Sequence, residues 1–514
     1  MKKRKILSLI LFSAAAAFMS AQGFMRAFAS DAVSPQNEIT GYSGESGFSV
    51  YLDRDNTLYA AGSNGSGELG RGFKDTAVKV QPLTKKILEN VVLFDTGKAG
   101  FVLAVNDYGK LYGWGGNAYG QLAGGVRQID ETNAVLAPAV INLPDGVEIV
   151  SVKAGARHSV LLGRDGGVWT FGHNGFGQLG QNLPAARQTL NGEPARLDQA
   201  YFGGGKITAI ETGEFTSYAL SETGDVYAWG DAYNGQLASG GADFDTPAIV
   251  PQKTLLSDVK KISAQSTTAM AMTNDGKVFV WGNNAFGQYG IPDFDAKESG
   301  TPQQITVSVN VKGEDVGAVY ADILCGGVTN FLLSDVGKVY SFGAGGADQL
   351  GFDIHDADNK YDSPYISMPN ALAPTEVQFY KALSIEEITA GGDANLKGKL
   401  PVDKTQPEDV TVTAFAGSIG ARTFVRDADG QMWSWGDNMN GLAASGDLNA
   451  TNVPVRSTLY RNDNYDKEIT HKNYLTEPVI GLAVIFGAAV ALMVWTEIKR
   501  LKFSRAEAAS VKST

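Results

Sequence analysis

The segment VEIVSVKAGARHSVLLGRDGGVWTFGHNGFGQLG, from Val147 to Gly180, contains three short stretches with the pattern of β-strands. IVSVKAG and VWTFG alternate apolar and polar residues, and HSVLL between them ends in an apolar run. Glycine or aspartate bounds the stretches, as is common at strand ends. The turn RDGG (Arg164–Gly167) offers residues that accept a positive φ, so it predicts a hairpin between the second and third strands.

The end of this segment recurs along the chain. FGHNGFGQLG from Phe171 resembles YGWGGNAYGQLAGG from Tyr112, WGDAYNGQLASG from Trp229 and WGNNAFGQYG from Trp281, with weaker copies from Ala61, Phe342 and Trp435. The leading glycines of the seven copies are Gly62, Gly115, Gly172, Gly230, Gly282, Gly343 and Gly436. Most copies are 52 to 61 residues apart, and the last follows after 93. A repeat of this period indicates a propeller, a solenoid or an array.

Recurring prolines predict a fourth strand in each unit, as in APAVI from Ala137, TPQQI from Thr301 and APTEV from Ala373. Proline cannot donate to a sheet ladder, so this strand should lie at the sheet edge or begin at its proline. Stacking seven such sheets buries their faces, which predicts an all-β fold: a seven-bladed β-propeller of four-stranded antiparallel blades. The aromatic residue before each repeated glycine should then fill the gap between sheets, while the glycine allows a tight turn or a close backbone approach.

The two ends of the repeat array suggest how the ring closes. The first unit begins at EITGYSGESGFSVYL without a proline-led strand before it, whereas the last unit ends with NVPVRS from Asn452. We therefore expect the strand at Val453–Val455 to complete the first blade beside the N-terminal strands and to hide a free edge.

The N-terminal segment predicts export. Residues 1–29 begin with basic residues and continue with an apolar stretch from Ile6 to Met19, which is typical of a signal peptide. Small residues offer cleavage after Ala21 or Ala29.

The C-terminal segment predicts a membrane anchor. Residues 478–496 are uncharged and basic residues follow at once, as in a single transmembrane helix with its tail in the cytoplasm. Ala483, Gly487 and Ala491 have the four-residue spacing of a helix dimerisation stripe, a spacing that is also common by chance. The predicted divisions are a signal peptide at 1–29, a propeller at 30–456, a linker at 457–477, a transmembrane helix at 478–496 and a cytoplasmic tail at 497–514.

The part predicted to lie outside the cell is acidic and contains a single cysteine. Between the two targeting segments the chain has 33 basic and 53 acidic residues, a net charge of −20. Such a surface repels phosphate backbones, so nucleic acid is not an expected partner. Cys325 lies in the apolar run ADILCGG and is expected to be a buried strand residue. Export without disulfides fits a bacterial cell-membrane protein.

The segment AGARHSVLLGRDGGVWTFGHNGFGQLG resembles the repeat of the regulator of chromosome condensation family, with its A-G-x-x-H-S-x-x-L, D-G-x-V-Y-x-W-G and N-x-x-G-Q-L-G elements. The resemblance covers about residues 36–456 and implies the family's propeller. The founding nuclear member drives nucleotide exchange on a small GTPase and sits on chromatin, but this chain differs from it in predicted compartment and in charge. Exported members include protein inhibitors of β-lactamases, which implies a binding role.

The sequence shows no motif for catalysis or for a cofactor. The four histidines (His158, His173, His355 and His471) lack metal-ligand spacing, and His158 lies in the repeated element, where a packed histidine is the simpler interpretation. There is also no Gly-x-Ser-x-Gly elbow and no phosphate-binding loop motif. The acidic stretch DIHDADNKYD offers four candidate calcium ligands, but a solvated loop explains them more simply. These are Asp353, Asp356, Asp358 and Asp362.

Two loops that follow the Gly-Gln-Leu phrase share an apolar-acidic tip, ADFDTP from Ala242 and PDFDAK from Pro292. An exposed phenylalanine between carboxylates would suit a basic partner, although both phenylalanines could instead fold inward. The candidate ligand-binding residues are Asp243, Phe244, Asp245, Asp293, Phe294 and Asp295. We therefore predict a membrane-tethered extracellular module that binds a protein or a glycan, without enzymatic activity. The alternative is a hydrolase with its active site in the mouth of the propeller.

Overall fold

The description rests on a computed structural model. The chain divides into two units, Ala32–Arg461 and a second that combines Met1–Asp31 with Asn462–Thr514. All the residues whose structure is described belong to the first unit. They are residues 39–45, 47–75, 86–186, 189–240, 245–292, 297–306, 308–311, 314–317, 319–346, 348–352, 370–382, 402–418, 422–437 and 451–456.

Seven antiparallel sheets follow one another along the chain, and each consists of consecutive strands. Blade 1 contains β1 (Ile39–Glu45), β2 (Phe48–Asp53) and β3 (Leu58–Gly62); blade 2 contains β4 (Val91–Gly97), β5 (Phe101–Asn106), β6 (Leu111–Gly116) and β7 (Ala134–Val140). Blade 3 contains β8 (Ile149–Ala154), β9 (His158–Gly163), β10 (Val168–His173) and β11 (Leu190–Arg196); a 3₁₀ turn (Gln199–Phe202) leads to blade 4, with β12 (Ile207–Thr212), β13 (Thr216–Ser221), β14 (Val226–Gly230) and β15 (Ala248–Lys253).

The second half of the chain repeats this order with two additional hairpins. Blade 5 contains β16 (Val259–Gln265), β17 (Thr268–Thr273), β18 (Val278–Asn283) and β19 (Glu298–Ile305), and the hairpin β20 (Ser308–Val311) and β21 (Glu314–Gly317) follows it. Blade 6 contains β22 (Tyr320–Cys325), β23 (Thr329–Ser334), β24 (Val339–Ala344) and β25 (Asn370–Glu376), followed by the hairpin β26 (Tyr380–Ala382) and β27 (Val402–Pro407). Blade 7 contains β28 (Val412–Ser418), β29 (Arg422–Asp427), β30 (Met432–Gly436) and β31 (Thr451–Arg456). The predicted seven-bladed, all-β architecture is confirmed.

The first strand of each blade lies at the axis, and these seven strands form a closed ring. Each one contacts the first strand of the next blade, and β28 of blade 7 contacts β1 of blade 1. Tyr42 and Tyr51 of blade 1 pack on Phe424 of blade 7. The ring centroid of Phe424 lies 3.9 Å from that of Tyr42 and 6.1 Å from that of Tyr51. Arg426 Nη2 also donates a hydrogen bond to the carbonyl oxygen of Thr40, at 2.6 Å. Side-chain packing therefore joins the first blade to the last.

The prediction that Val453–Val455 would complete blade 1 is wrong. These residues belong to β31, which pairs with β30 of its own blade, with Val455 opposite Ser434. The reason is local: β30 carries the same Trp-Gly pair as β6, β14 and β18, and each of those third strands pairs with the outer strand that follows it in the chain. In blade 1 the equivalent edge at Leu58 exchanges two backbone hydrogen bonds with Ile87 and Leu88.

The recurring prolines lie in the outermost strands, as predicted. They are Pro138, Pro194, Pro251, Pro302, Pro374 and Pro454. Each falls where the pairing with the third strand shifts register; in blade 3, for example, Thr170 pairs with Ala195 but Gly172 pairs with Asn191. The outer strand therefore bulges opposite the single residue Phe171, and the proline occupies a position where no ladder hydrogen bond is required.

The repeated glycine is required by its backbone geometry. At all seven positions φ lies between 96° and 113°, in the region that L side chains rarely adopt. At Gly230 an added Cβ would also overlap the carbonyl oxygen of Phe215, at the start of the neighbouring strand. The glycine therefore permits both the unusual φ and the close approach of two backbones, as the sequence predicted.

The Gly-Gln-Leu phrase is bound by the next blade. The carbonyl oxygen of its glutamine, or of Glu68 in blade 1, accepts a hydrogen bond from a buried donor of the following blade at each of the six interfaces from blade 1 to blade 7. The donor–acceptor pairs are Trp114 to Glu68, Ser159 to Gln121, Trp229 to Gln178, Trp281 to Gln236, Asn330 to Gln288 and Trp435 to Gln349, at 2.6 to 3.0 Å. The four tryptophans are fully buried, so the aromatic residue both fills the gap between blades and links them.

The predicted targeting segments at 1–29 and 478–496 lie outside the described residues, as do the linker, the tail and the stripe Ala483, Gly487, Ala491. Within the described ranges, no helix has the length and apolar character needed to cross a bilayer. The signal peptide and the membrane anchor therefore stay predictions from the sequence.

Substituting Gly230 by alanine should destabilise the propeller strongly. The new Cβ would combine the unfavourable φ with a backbone overlap, so we expect a loss of about 3 kcal/mol or more in the free energy of unfolding. Gly276→Ala is the matched control, because Gly276 has φ +83° but open space around it. The control should lose only about 1–2 kcal/mol, the cost of the backbone conformation. Urea unfolding of both variants measures the difference, and equal losses would contradict the close-approach argument.

Candidate binding face

Most residues proposed from the sequence for ligand or metal binding lie outside the described part of the chain. These are Asp243, Phe244, Asp293, Phe294, Asp295, Asp353, Asp356, Asp358 and Asp362. Asp245 is described, and it is exposed. The two apolar-acidic loops connect β14 to β15 and β18 to β19, and the described strand ends that they join lie at the end of the propeller where the third strand of a blade passes to the fourth. Their role in binding stays a prediction.

We call this end the GQL face. It carries the Gly-Gln-Leu turns of blades 2 to 5 (residues 119–122, 176–179, 234–237 and 286–289) and the turns between first and second strands, such as 155–157 and 213–215. Antiparallel strands alternate in direction, so these two sets of turns share one end of each blade. The hairpin turns predicted from sequence, such as Arg164–Gly167, lie at the opposite end.

Side chains of the repeat hold the Gly-Gln-Leu turns in a fixed conformation. In blade 3, Gln178 Oε1 accepts a hydrogen bond from the backbone N–H of Phe176 at 2.9 Å, and Asn174 Oδ1 accepts one from Leu179 N–H at 3.0 Å. The same two bonds recur in blades 2 and 5. The residue directly before the glycine of the phrase, Phe176 in blade 3, is therefore held on a rigid turn, which suits a binding surface.

An aromatic patch occupies the GQL face over blades 2 to 4. Phe176 and Phe215 stack with ring centroids 4.7 Å apart, and His173 contacts both rings and also Tyr119. The guanidinium of Arg157 lies 4.5 Å from the ring centroid of Tyr119. Phe176 is 37 % exposed and is held in place by its stacking partner, a favourable arrangement for a contact residue.

Tyr233 lies on the equivalent turn of blade 4 and is 68 % exposed. Its backbone N–H donates to Asp231 Oδ1, and Gln236 Nε2 donates to Asp231 Oδ2, both at 3.2 Å. Burial raises the pKa of Asp231, although these hydrogen bonds oppose the rise. Carboxylates therefore accompany the aromatic side chains, since Tyr119 also donates its hydroxyl to Glu131 at 2.7 Å.

Backbone hydrogen bonds join neighbouring blades around the axial opening of the propeller, from blade 2 to blade 5. Ala99 N–H donates to Ala156 O, Ala156 N–H to Glu214 O, and Glu214 N–H to Ser266 O, at 2.7 to 2.9 Å. Lys98 Nζ crosses over blade 3 to form a 2.8 Å ion pair with Glu214 Oε2. The mouth between blades 2 and 5 is therefore rigid, and it joins directly to the aromatic patch.

His158 and Cys325 have side chains that could take part in catalysis, but both are packed in the protein interior. His158 is buried, its Nε2 lies 2.9 Å from Ser217 Oγ, and burial together with His173 lowers its pKa to about 3. The Cys325 thiol is buried against the Thr268 carbonyl, and burial raises its pKa to about 12. The predictions of a packed histidine and a buried cysteine are confirmed. Within the described residues no cluster of His, Cys, Asp and Glu has the geometry of a metal site.

The aromatic patch was not predicted from the sequence, in which the loops after the Gly-Gln-Leu phrase were the candidate sites. The signal was present inside the phrase itself: Tyr119, Phe176 and Phe286 occupy the same position, before the glycine, in three copies. Phe215 occupies in blade 4 the position that Arg157 has in blade 3. No sequence pattern marks it as part of a patch, because only the packing of one blade on the next brings it onto Phe176.

Comparison with known proteins assigns the family. The RCC1-like domain model matches residues 29–397. The chain belongs to the RCC1-like domain family. It is 27 % identical over 364 residues to the mitochondrial RCC1 domain-containing protein RUG3 of Arabidopsis thaliana, covering 66 % of this chain and 74 % of RUG3. It is 28 % identical over 305 residues to the ultraviolet-B receptor UVR8 of the same plant, covering 59 % of this chain and 64 % of UVR8.

Among solved structures the RCC1-like chain resembles Prp20p of Saccharomyces cerevisiae, with a TM-score of 0.60 and 20 % identity over 83 % of this chain and 97 % of that one. At this identity the likeness shows the fold. That structure's description reports binding of Prp20p to Gsp1p and histones. Proteins with this fold thus include one that binds other proteins.

The free energy of unfolding should fall as the pH drops below about 6.5, with His158 as one cause. Its pKa is about 3 in the folded protein, against 6.5 for an ordinary histidine, so at intermediate pH only the unfolded chain binds this proton. The expected loss from this group is about 2 kcal/mol between pH 7 and pH 5. His158→Gln, which cannot take up the proton, should show a correspondingly flatter dependence in urea unfolding over this range. Parallel curves for the two proteins would contradict the assignment.

Proposed function

We propose that this RCC1-like protein is a membrane-tethered module that uses the GQL face to bind a protein outside the cell. The observation that carries the proposal is the exposed, stacked Phe176 on its rigid turn, with Tyr233 exposed on the corresponding turn of the next blade. Aromatic side chains dominate the energetics of protein interfaces, and those held in position lose little conformational entropy on binding.

The charge of the surface suggests a basic partner. The exported part has a net charge of −20, and the aromatic patch is accompanied by Glu131, Glu214 and Asp231. Opposite charge on a partner would accelerate association and orient the encounter. The two apolar-acidic loops at 242–247 and 292–297 connect strand ends of the same face, and they would extend the contact surface.

The tether and the topology rest on the sequence: a signal peptide at 1–29, an uncharged segment at 478–496 and the basic cluster that follows it. This arrangement would place the propeller on the outer side of the cell membrane and residues 497–514 in the cytoplasm. The partner would then be reached from outside the cell.

Site-specific photocrosslinking in the native cell tests the binding face. A photoreactive phenylalanine analogue at position 176 of the full chain should yield a protein adduct, because that side chain would lie in the interface. The control position is Tyr108, 75 % exposed in the β5–β6 turn at the opposite end. Adducts of equal yield from both positions, or none from position 176, would contradict the proposal. An adduct sensitive to glycosidases but not to proteases would assign a glycan instead.

Once the crosslinked partner is purified, affinity measurements quantify the contribution of the patch. The double substitution Phe176→Ala and Tyr233→Ala should weaken binding by about 30-fold or more, as expected for two interface hot spots. Tyr108→Ala should leave the affinity unchanged. Unfolding curves of the variants distinguish lost contacts from lost structure, and an unchanged affinity of the folded double variant would contradict the role of the patch.

Protease protection tests the topology. Protease added to intact cells should remove the propeller and leave a tag at Thr514 intact, because the tail would be shielded by the membrane. Permeabilised cells serve as the control, in which the tag should also be lost. Protection of the propeller in intact cells would reverse the assignment.

A further inference from the structure

A cavity of about 630 Å³ lies on the propeller axis, between the first strands of the seven blades. All seven blades contribute to its wall, from Tyr42 in blade 1 to Phe415 in blade 7. Pockets for small ligands have volumes of about 300–1,000 Å³ and combine an apolar wall with a few convergent polar groups. The distribution of side chains in this cavity follows that pattern.

One side of the cavity carries charged side chains. Lys153 Nζ forms a 2.7 Å ion pair with Glu211 Oε1, and Lys261 pairs with Asp322 on the neighbouring strand. Asp95 accepts hydrogen bonds from Ser43 Oγ and Ala154 N–H, both at 2.9 Å. The side chains of Lys153 and Lys261 are 30 % and 41 % exposed, and both line the cavity.

The other side of the cavity is apolar. Phe94, Leu324 and Phe415 line it, and all three are only partly buried by the protein itself. Partly exposed apolar side chains inside a cavity gain free energy when a ligand displaces water from them. The charged groups come mainly from blades 2 to 5, whereas this wall comes from blades 6, 7 and 2, so the cavity is amphipathic across its width.

The charged side chains that line the wall are equal in number for the two signs. They are Lys98, Lys153, Lys261, Asp95, Glu211 and Glu214, three cations and three carboxylates; Asp322, the partner of Lys261, is not among the lining residues. A polyanion such as a nucleotide would meet three carboxylates there, and a simple amine would meet three lysines. A ligand without net charge, but with a separated carboxylate and ammonium, would find a partner for each group.

We propose that the axial cavity binds a small zwitterion with an apolar substituent, of the kind represented by a free aromatic or branched amino acid. The carboxylate lies at Lys153 and Lys261, the ammonium at Asp95 and Glu211, and the apolar group against Phe94 and Phe415. This site is independent of the protein-binding role of the GQL face, because no residue of the aromatic patch lines the cavity.

The charged groups retain the capacity to bind such a ligand. An ammonium has three N–H donors, and Lys153 uses one of them on Glu211. The carboxylates Glu211 and Asp95 raise the pKa of Lys153 although burial opposes this, so the amine stays protonated at neutral pH. In addition, Gln265 Oε1 is buried at the cavity wall without a hydrogen-bond partner among the described residues. It offers a further acceptor to an ammonium or to an ordered water.

Binding to the unmodified full chain, purified in detergent, tests the proposal with ligand analogues. Phenylalanine and leucine, titrated by calorimetry up to about 10 mM, should bind saturably, since weak specific ligands reach millimolar affinity. N-acetylphenylalanine lacks the ammonium, phenylalaninamide lacks the carboxylate and glycine lacks the apolar group, so each should bind at least about tenfold more weakly than phenylalanine. Failure of both amino acids to bind, or equal affinity for phenylalanine and its two derivatives, would overturn the proposal.

Two variants then assign the ligand's charged groups to residues. Lys153→Met should remove the preference for phenylalanine over phenylalaninamide, and Glu211→Gln should remove the preference over N-acetylphenylalanine. The control is Lys277→Met, which breaks a comparable 2.6 Å ion pair with Asp275 away from the cavity and should leave all affinities unchanged. If a folded Lys153→Met variant keeps the full preference for the carboxylate, the assignment is wrong. If the variants fail to fold, the analogue series on the unmodified chain still decides.

Discussion

The hydrogen bond between a buried donor of one blade and the glutamine carbonyl oxygen of the preceding blade is the interaction on which the rest of the structure depends. It requires a turn that exposes this carbonyl, a donor that reaches across the gap, and a glycine after the aromatic residue so that two backbones can approach. Each bond contributes about 1 kcal/mol, and loss of the donor costs about 1–3 kcal/mol where it leaves the buried carbonyl unpaired; Gln178 O is an exception, because Ser217 Oγ also donates to it. The phrase therefore recurs in blade after blade because its residues are required together for this hydrogen bond.

Much of the architecture could be predicted from the sequence, because these requirements are local. The strand pattern, the Arg164–Gly167 turn, the proline-led outer strand, the buried His158 and the buried Cys325 all follow from residues that are close in sequence. The closure of the ring could not be predicted in the same way. An unpaired strand at each end suggested a shared blade, whereas closure depends on Tyr42, Tyr51 and Phe424, whose packing has no sequence signature.

The candidate sites were less predictable, for a related physical reason. Binding surfaces on a propeller are built from equivalent positions of different blades, so their residues are about one repeat apart in sequence. The stack of Phe176 on Phe215 joins a turn of blade 3 to a turn of blade 4, and the axial cavity brings together single residues from seven strands. The two loops selected from the sequence connect third to fourth strands, and their role in binding stays a prediction. The particular side chains depend on how neighbouring blades pack.

The pairing of every sheet strand with its sequence neighbours has a consequence for folding. Each blade can assemble as an antiparallel meander of consecutive strands, and the interface between consecutive blades adds contacts one repeat apart. The bond from Arg426 to Thr40, in contrast, spans 386 residues. The entropy of closing so large a loop grows only with the logarithm of its length, so this step adds a modest cost, which is incurred once. Local assembly of the blades followed by a single ring-closing step is therefore the expected order of folding.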